Sequence, residues 1–192
     1  MNRFDYLWNK LRAMALLVIG RNAAAHMVFD QMVRRWPDDA YALASRAHLL
    51  TQAHRLPEAL ADSQRLLALR PEHAATWFNH GFMLEAHGEI EPARLAFQRA
   101  TELGPELDRA WYGLALVLIR LQRYEEAVAA LKRNTELQPM SPYGWYQLAR
   151  VHVDRHQPEE AVKIIRHLKG FEPKFAAQLE RETGLLSGAP AR

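Results

Sequence analysis

The chain has 192 residues, 49% of them hydrophobic, no cysteine, and a formal net charge of +3. The hydrophobic content is sufficient for a packed core and excludes a disordered chain. The absence of cysteine excludes a thiol nucleophile, a thiolate metal site and a disulfide framework. The charge excess is too small to indicate nucleic-acid binding, so no nucleic-acid partner is expected.

The first segment of the chain is predicted to hold two helices, at about residues 4–19 and 22–35. A second interpretation is a signal peptide, since basic residues precede the apolar run Ala13–Ile19 and Ala23–Ala25 resembles a cleavage site. The run is too short to span a membrane, which takes about 20 apolar residues. Residues 4–19 are also a candidate surface for contact with a membrane or a partner. Leu7, Met14 and Leu17 are candidates for self-association.

From residue 40 onward the sequence repeats with a period of 34 residues. Four kinds of position keep this step without an insertion. They are the prolines 71, 105, 139 and 173; the alanines 59, 93, 127 and 161; Leu43, Trp77, Trp111 and Trp145; and Ala47, Gly81, Ala115 and Ala149. A fixed period of this length indicates a helical repeat protein.

The repeated residues resemble the tetratricopeptide repeat (TPR) family. That family's pattern is Trp-x2-Leu-Gly-x2-Tyr, then Ala-x3-Phe, then Pro. Here it reads Trp77-x2-His80-Gly81-x2-Leu84, then Ala93-x3-Phe97, then Pro105. The resemblance implies an all-α fold, a right-handed α-solenoid of antiparallel helix pairs (a TPR-like superhelix) with a C-terminal capping helix.

The repeat register divides the chain into one continuous array over residues 1–186. Gly20, Ala25, Phe29 and Pro37 keep the same register before the clear repeats, which indicates a degenerate N-terminal repeat at 6–39. The predicted repeats then span 40–73, 74–107, 108–141 and 142–175. A capping helix follows at 176–186 with Glu180 facing outward, and 187–192 is predicted to be a flexible tail.

Local signals mark the predicted helix ends. Asp38 or Asp39 is expected to cap the first helix of the repeat at 40–73, and Pro57 to open its second helix. Gly104 is expected to end a helix in the left-handed conformation. The repeated tryptophans are expected to fill the core between paired helices.

The resemblance places a concave binding groove along the first helix of each repeat. The side chains that fall on or beside that face are rich in aromatics and arginine, the types that anchor interfaces. The candidate binding residues are Tyr41, His48, Phe78, Asn79, Phe82, Arg109, Tyr112, Arg120, Tyr143, Tyr146 and Arg150. The alternative is that the aromatics pack on neighbouring repeats or on the chain's own termini.

The expected partner is a protein or peptide segment. Aromatic side chains would form apolar pockets, and Asn79 would bond the ligand backbone. Arginines at 109, 120 and 150 would meet an acidic side chain or a C-terminal carboxylate. The carboxylate clamp of chaperone-binding TPR proteins is not reproduced, since Asn79 alone matches it and Arg109 substitutes partially.

No enzyme fingerprint is present, and no cofactor is predicted. His152 and His156 lie one helical turn apart, but a third metal ligand is not evident. The sequence predicts a non-enzymatic cytoplasmic scaffold, adaptor or assembly factor. The alternative is a periplasmic or membrane-associated TPR subunit of a cell-envelope complex that docks through its apolar N-terminal helix.

Overall fold

A computed structural model describes residues 3–186, and the predicted tail at 187–192 lies outside this range. Within it the chain forms eleven helices and no strand. These are α1 (Arg3–Val18), α2 (Asn22–Arg35), α3 (Ala40–Gln52), α4 (Leu56–Leu69), α5 (Ala74–His87), α6 (Ile90–Leu103), α7 (Asp108–Arg120), α8 (Tyr124–Leu137), α9 (Pro142–Asp154), α10 (Pro158–Lys169) and α11 (Pro173–Thr183). The all-α prediction is confirmed, and so are the helices predicted at 4–19 and 22–35.

The helices fall into two compact units. The first, Met1–Glu89, contains α1 to α5, and the second, Ile90–Arg192, contains α6 to α11. Within each unit, helices that follow one another in the chain pack together. The division into one continuous array over 1–186 stays a prediction.

The repeated small residues lie where the paired helices are closest. Ala59, Ala93, Ala127 and Ala161 are each completely buried. Gly113, which is not one of the repeated positions, marks another close contact, between α6 and α7, because a Cβ atom there would lie 2.8 Å from the ring of Phe97. The complete burial of the repeated alanines fits the close helix contacts that the spacing of small residues predicts.

The repeated tryptophans differ from expectation, since none of the three is fully buried. Each indole N–H donates to the carbonyl of the proline six residues earlier. The distances are 2.7 Å for Trp77 to Pro71, 2.9 Å for Trp111 to Pro105 and 2.8 Å for Trp145 to Pro139. An indole N–H needs a polar partner, so the ring fastens the preceding turn to the helix and stays half-buried. The fully buried aromatics are Phe29 and Phe97.

The turn between paired helices uses one left-handed position in every repeat. Gly20 and Gly88 have φ of 75° and 90°, and His54, Gln122 and His156 occupy the same slot with φ of 57°, 58° and 56°. These three side chains adopt a conformation that costs a non-glycine residue about 1–2 kcal/mol.

The left-handed conformation predicted for Gly104 is wrong, since its φ is not positive. Gly104 instead continues the helical bonding, with its N–H 2.9 Å from the Ala100 carbonyl. Its register equivalents Arg70 and Gln138 also have negative φ, of −138° and −130°. The physical reason is the proline that follows each of them, because proline disfavours helical backbone at the residue before it.

Helix α11 covers the end of the second unit as the capping-helix prediction expected. Ala176 and Leu179 are completely buried against the preceding helices. The prediction that Glu180 faces outward is wrong. Its carboxylate lies 2.5 Å from the Lys169 ammonium and its side chain is only 18% exposed. The salt bridge ties α11 to α10 and explains the inward orientation.

The first unit also contains a partly buried ion-pair network that the repeat pattern does not predict. The guanidinium of Arg46 donates twice to Asp62, at 2.7 and 2.6 Å, and once to Asp30, at 2.6 Å. These hydrogen bonds connect α2, α3 and α4.

Asp39 caps α3, because its carboxylate accepts a hydrogen bond from the Ala42 N–H at 2.7 Å. Asp39 is one of the two residues predicted as candidates for this cap.

Candidate binding site

The first unit contains a cavity of about 350 Å³ between α3, α4 and α5. Its inner wall is formed by buried residues of these helices, and its rim by exposed ones. The lining residues are Ala44, Ala47, His48, Thr51, Gln52, Ser63, Leu66, Asn79, Phe82 and Met83. The space exists because α3 presents alanines at positions 44 and 47, where larger side chains would fill it. None of the lining residues is an Asp, Glu, Lys or Arg.

A buried histidine lies behind the cavity wall. The Nδ1 atom of His80 lies 3.0 Å from the Ser63 hydroxyl, which itself lines the cavity. Burial lowers the pKa of His80, and Glu89 acts in the opposite direction. The imidazole is therefore kept neutral near pH 7, so the wall of the cavity is polar at one point but carries no charge.

The rim of the cavity brings together three of the predicted binding residues, His48, Asn79 and Phe82. The ring of Phe82 is half exposed and so is available for contact with a ligand. His48 is held at the rim by Gln52, whose Nε2 lies 3.0 Å from the imidazole Nε2. These side chains surround an apolar opening with polar groups at its edge.

Two other predicted residues of the first unit lie outside the cavity lining. Tyr41 packs on Phe29 with ring centroids 5.9 Å apart, and the Lys10 ammonium lies 4.4 Å from the Tyr41 centroid. Phe78 is half-buried on α5. Tyr41 therefore contributes to the packing of α1 and α2 on α3, as the alternative interpretation of the aromatics expected.

In the second unit, the predicted aromatics of α9 contact the capping helix. The ring centroids of Tyr143 and Tyr146 lie 5.5 and 6.0 Å from that of Phe175. The Tyr146 hydroxyl donates to the Glu182 carboxylate at 2.5 Å and accepts from Gln178 at 3.2 Å. These two tyrosines pack on the chain's own C-terminal helix, which the alternative interpretation left open.

The carboxylate of Glu182 lies in a polar environment built by α9 and α11. Hydrogen bonds from Tyr146 and Gln178 lower the pKa of Glu182, and the charge of Arg150 acts in the same direction. The pKa of Tyr146 is raised, first by burial and then by the Glu182 carboxylate. Arg150 also lies 5.9 Å from the Tyr146 ring centroid. An acidic side chain is thus held where the sequence predicted that an acidic ligand would bind.

The remaining predicted residues lie on α7. Arg109 and Arg120 are exposed, and Tyr112 is half-buried. Burial raises the pKa of Tyr112, which also hydrogen-bonds Gln147 of α9. Apart from Tyr41 and Phe78, the predicted residues form one group at the cavity rim of the first unit and another along α7 and α9 of the second.

Sequence reasoning missed the inner wall of the cavity, Ser63, Leu66 and Met83, and the α11 residues that engage α9. The wall residues come from α4 and from the inner side of α5, which a groove assigned to exposed helix faces leaves out. The signal that points to a cavity is Ala44, a small residue at the position that holds Phe78 in the next repeat.

No group of three or more histidine, aspartate or glutamate side chains within 3–186 is placed to hold a metal ion. No helix in that range combines the length and apolar character needed to cross a membrane.

The family model described as tetratricopeptide repeat matches residues 10–74, 45–108 and 84–142. These matches overlap and together cover more than half of the chain, so the chain belongs to the tetratricopeptide repeat family. Members of this family are protein-interaction scaffolds built from helix pairs, and this is the class to which the chain is assigned. The family and fold predictions are confirmed.

Solved structures with the same fold include MamA from Desulfovibrio magneticus RS-1, at 19% identity, a TM-score of 0.78 and coverage of 91% of this chain and 94% of that one. YrrB, described as a TPR protein with an unusual peptide-binding site, has 18% identity, a TM-score of 0.76 and coverage of 88% of each chain. A thermophilic TPR protein from Thermus thermophilus has 21% identity, a TM-score of 0.62 and coverage of 90% and 93%. No curated protein matches the chain.

Proposed function

We propose that this protein is a non-enzymatic scaffold or assembly factor that binds a peptide segment of another protein at the α3–α5 cavity. The observation that carries the proposal is an apolar cavity opening beneath the exposed ring of Phe82. Its volume of about 350 Å³ lies within the range of small-ligand pockets, so it accommodates an apolar side chain of a peptide.

The rim supplies the polar groups that a peptide backbone needs. Asn79 is exposed there and offers both an amide donor and a carbonyl acceptor. His48 and Gln52 extend the polar edge along α3. An apolar side chain in the cavity and backbone hydrogen bonds at the rim make up a peptide-binding mode that needs no charged side chain in the lining. The peptide-binding site described for YrrB supports a peptide ligand for this fold.

The second unit supports a separate contact of its own, with an acidic group of a partner protein. Tyr146 donates a hydrogen bond to the Glu182 carboxylate and the charge of Arg150 helps to lower the pKa of Glu182, which supports an acidic group on the ligand. A ligand carboxylate at Arg150 would therefore compete with α11. Arg109 and Arg120 are proposed as the other contacts for acidic groups.

A selection from a displayed library of random peptides tests the proposal. The full chain is the bait, and counter-selection uses Ala44→Phe, which places a large ring in the cavity from an exposed position. We expect the enriched peptides to share one large apolar residue, and alanine at that residue to abolish binding. Ala68→Phe is the matched control, because Ala68 is exposed on α4 and does not line the cavity. Enrichment of the same peptides by Ala44→Phe would contradict the proposal.

A second function is favoured by the exposed apolar residues of α1. Large hydrophobic side chains along this helix are left uncovered, including Phe4, Trp8 and Leu11. We propose that α1 is a docking surface of the chain, in keeping with a membrane-associated subunit of a cell-envelope complex. Sequencing the N-terminus of the mature protein from separated cytoplasmic, periplasmic and membrane fractions tests the compartment. Recovery in the cytoplasmic fraction alone favours a cytoplasmic scaffold and contradicts the envelope assignment.

A further inference from the structure

Helix α1 has two faces with different surroundings. Ala13 is completely buried in a core cluster with residues of α2 and α3, and Tyr6, Leu16 and Leu17 pack against that cluster. This face fixes the helix to the rest of the first unit. The opposite face of α1 points away from this cluster, on a helix whose position is fixed by its packing on α2 and α3.

The outer face of α1 is a continuous apolar stripe. Phe4, Trp8, Leu11, Ala15 and Ile19 follow one another at intervals of three or four residues, which places them on one side of a helix. Phe4, Trp8, Leu11, Val18 and Ile19 are between 61% and 87% exposed. We call these residues and Ala15 the α1 stripe. Exposure of so many large apolar side chains in one place is typical of a surface that is covered in use.

Basic residues border the stripe. Arg3 and Arg12 are exposed on its two sides, and Arg21 follows the end of the helix. The acidic residue of α1, Asp5, is occupied by the Arg35 guanidinium at 2.6 Å. Within the described residues Arg12 and Arg21 form no ion pair. The outer side of α1 thus combines an apolar centre with uncompensated positive charge.

This charge pattern favours one of two candidate partners for the α1 stripe, a second copy of the chain or a membrane surface. In a symmetric pair of chains the same patch faces itself, so the arginines at the border of one copy would approach those of the other. Like charges at such an interface oppose association. A bilayer with anionic headgroups offers the complementary arrangement, an apolar layer beneath a negative surface. Trp8 fits this setting, since tryptophan is enriched at the membrane–water boundary.

We propose that the α1 stripe lies in the surface of an anionic membrane, with its apolar side chains in the outer acyl region and Arg3, Arg12 and Arg21 at the headgroups. The inference rests on the second proposed function, that α1 is a docking surface, and it names what the surface docks to. The helix lies flat on the bilayer, since its opposite face is fixed to α2 and α3.

Co-sedimentation of the full chain with vesicles tests the inference. The probes are vesicles of phosphatidylcholine alone and of phosphatidylcholine with about 30% phosphatidylglycerol. We expect binding to the anionic vesicles that weakens as salt rises from about 0.1 to about 0.5 M, because headgroup attraction is screened. Trp8→Gln/Leu11→Gln should lower the partition coefficient at least about ten-fold, and Arg3→Gln/Arg12→Gln roughly ten-fold on anionic vesicles only.

Leu95→Gln/Met140→Gln is the matched control, since it removes two exposed apolar side chains of the second unit and should bind as the wild type does. Thermal melts verify that the α1 variants remain folded, which their exposed positions predict. Equal binding of the Trp8/Leu11 variant and the wild type would overturn the inference. Absence of vesicle binding, together with a dimer in light scattering that this variant abolishes, would overturn the lipid assignment and leave α1 as a docking surface. Absence of both would overturn both proposals.

Discussion

One residue in the turn between paired helices has a left-handed backbone conformation, and its identity affects the stability of the repeat. Five register-equivalent positions share a positive φ, and two of them are glycine. The others are His54, Gln122 and His156, which adopt the conformation without the glycine that suits it. The repeat geometry requires this turn whichever residue the sequence supplies.

Replacing Gln122 with glycine should therefore stabilise the protein. Relief of the left-handed conformation contributes about 1–2 kcal/mol, and the greater flexibility of glycine in the unfolded chain offsets about 0.5–1 kcal/mol of it. We expect a net gain of about 0.5–1 kcal/mol in the free energy of unfolding, measured by urea denaturation.

Gln138→Gly is the matched control for this substitution. Gln138 has a φ of −130°, so glycine there brings the flexibility without relieving a strained turn. It should lower stability by about 0.5–1 kcal/mol. Equal effects of the two substitutions would contradict the assigned cost of the left-handed slot.

His80 makes stability depend on pH at the position where the family pattern has leucine. Burial lowers the pKa of His80 in the folded protein below the value of 6.5 that applies when it is exposed. The folded state therefore binds fewer protons than the unfolded state. The stability from a neutral His80 is fully present above about pH 6.5 and is lost as the pH falls through that value towards the folded pKa.

His80→Leu should remove this contribution and make the free energy of unfolding less sensitive to pH. The comparison is the change between pH 7.5 and pH 5.5, measured by denaturation of both proteins. Other titrating groups are shared by the two proteins and cancel in the difference. An unchanged pH dependence would contradict the assignment of His80 as a buried neutral side chain.

At the scale of the element, helix α11 occupies the face of α9 on which the sequence placed a ligand. Phe175 meets both tyrosines of α9, and Glu182 accepts from the Tyr146 hydroxyl. The sequence predicted a capping helix here, because apolar spacing along a helix is visible in the sequence. It did not predict these polar contacts, because they join residues that lie 32 to 36 positions apart and depend on how α11 packs.

A double-mutant cycle on Tyr146→Phe and Glu182→Gln should detect the contact of α11 with α9. We expect a coupling of about 0.5 kcal/mol in the free energy of unfolding at pH 7, because the bond is to a charged group but exposed to water. Glu182 has a lowered pKa, so its contribution is present above the exposed value of 4.5 and is lost as the pH falls through its folded pKa.

A second double-mutant cycle, on Tyr143→Phe and Glu182→Gln, is the control. Tyr143 contacts Phe175 through its ring, so its hydroxyl is not expected to couple with Glu182. Coupling of similar size in both cycles, or coupling that persists at pH 3, would contradict a specific Tyr146–Glu182 hydrogen bond.

At the scale of the molecule, the fold was predictable because the repeat encodes it redundantly. Small residues, prolines and tryptophans each kept the same step, so errors at single positions such as Gly104 did not affect the result. The candidate site was predictable only in part. His48, Asn79 and Phe82 share the cavity rim, whereas Tyr41 packs on Phe29 and two tyrosines pack on α11. The residues that share a helix face can be predicted from their spacing in the sequence. What covers that face cannot, because it depends on contacts between segments that are distant in the chain.

The α1 stripe is a second case in which the sequence shows an apolar helix but not which of its faces is covered. The sequence pattern showed an apolar N-terminal helix, and the structure separates its residues into a packed face and an exposed one. Both the cavity and the stripe lie in the first unit, so that unit carries two distinct proposed surfaces. One is concave and uncharged, which suits a peptide, and the other is convex, apolar and basic, which suits a membrane surface.

The measurement that tests the central claim most directly is the affinity of a library-selected peptide for the wild type, Ala44→Phe and Ala68→Phe, by fluorescence anisotropy. Burial of one apolar side chain contributes about 1.5–3 kcal/mol, so filling the cavity should raise the Kd by about ten-fold or more. Ala68→Phe should leave the Kd unchanged. Equal Kd values for all three proteins would show that the peptide binds elsewhere and would contradict the assignment of the α3–α5 cavity as the binding site.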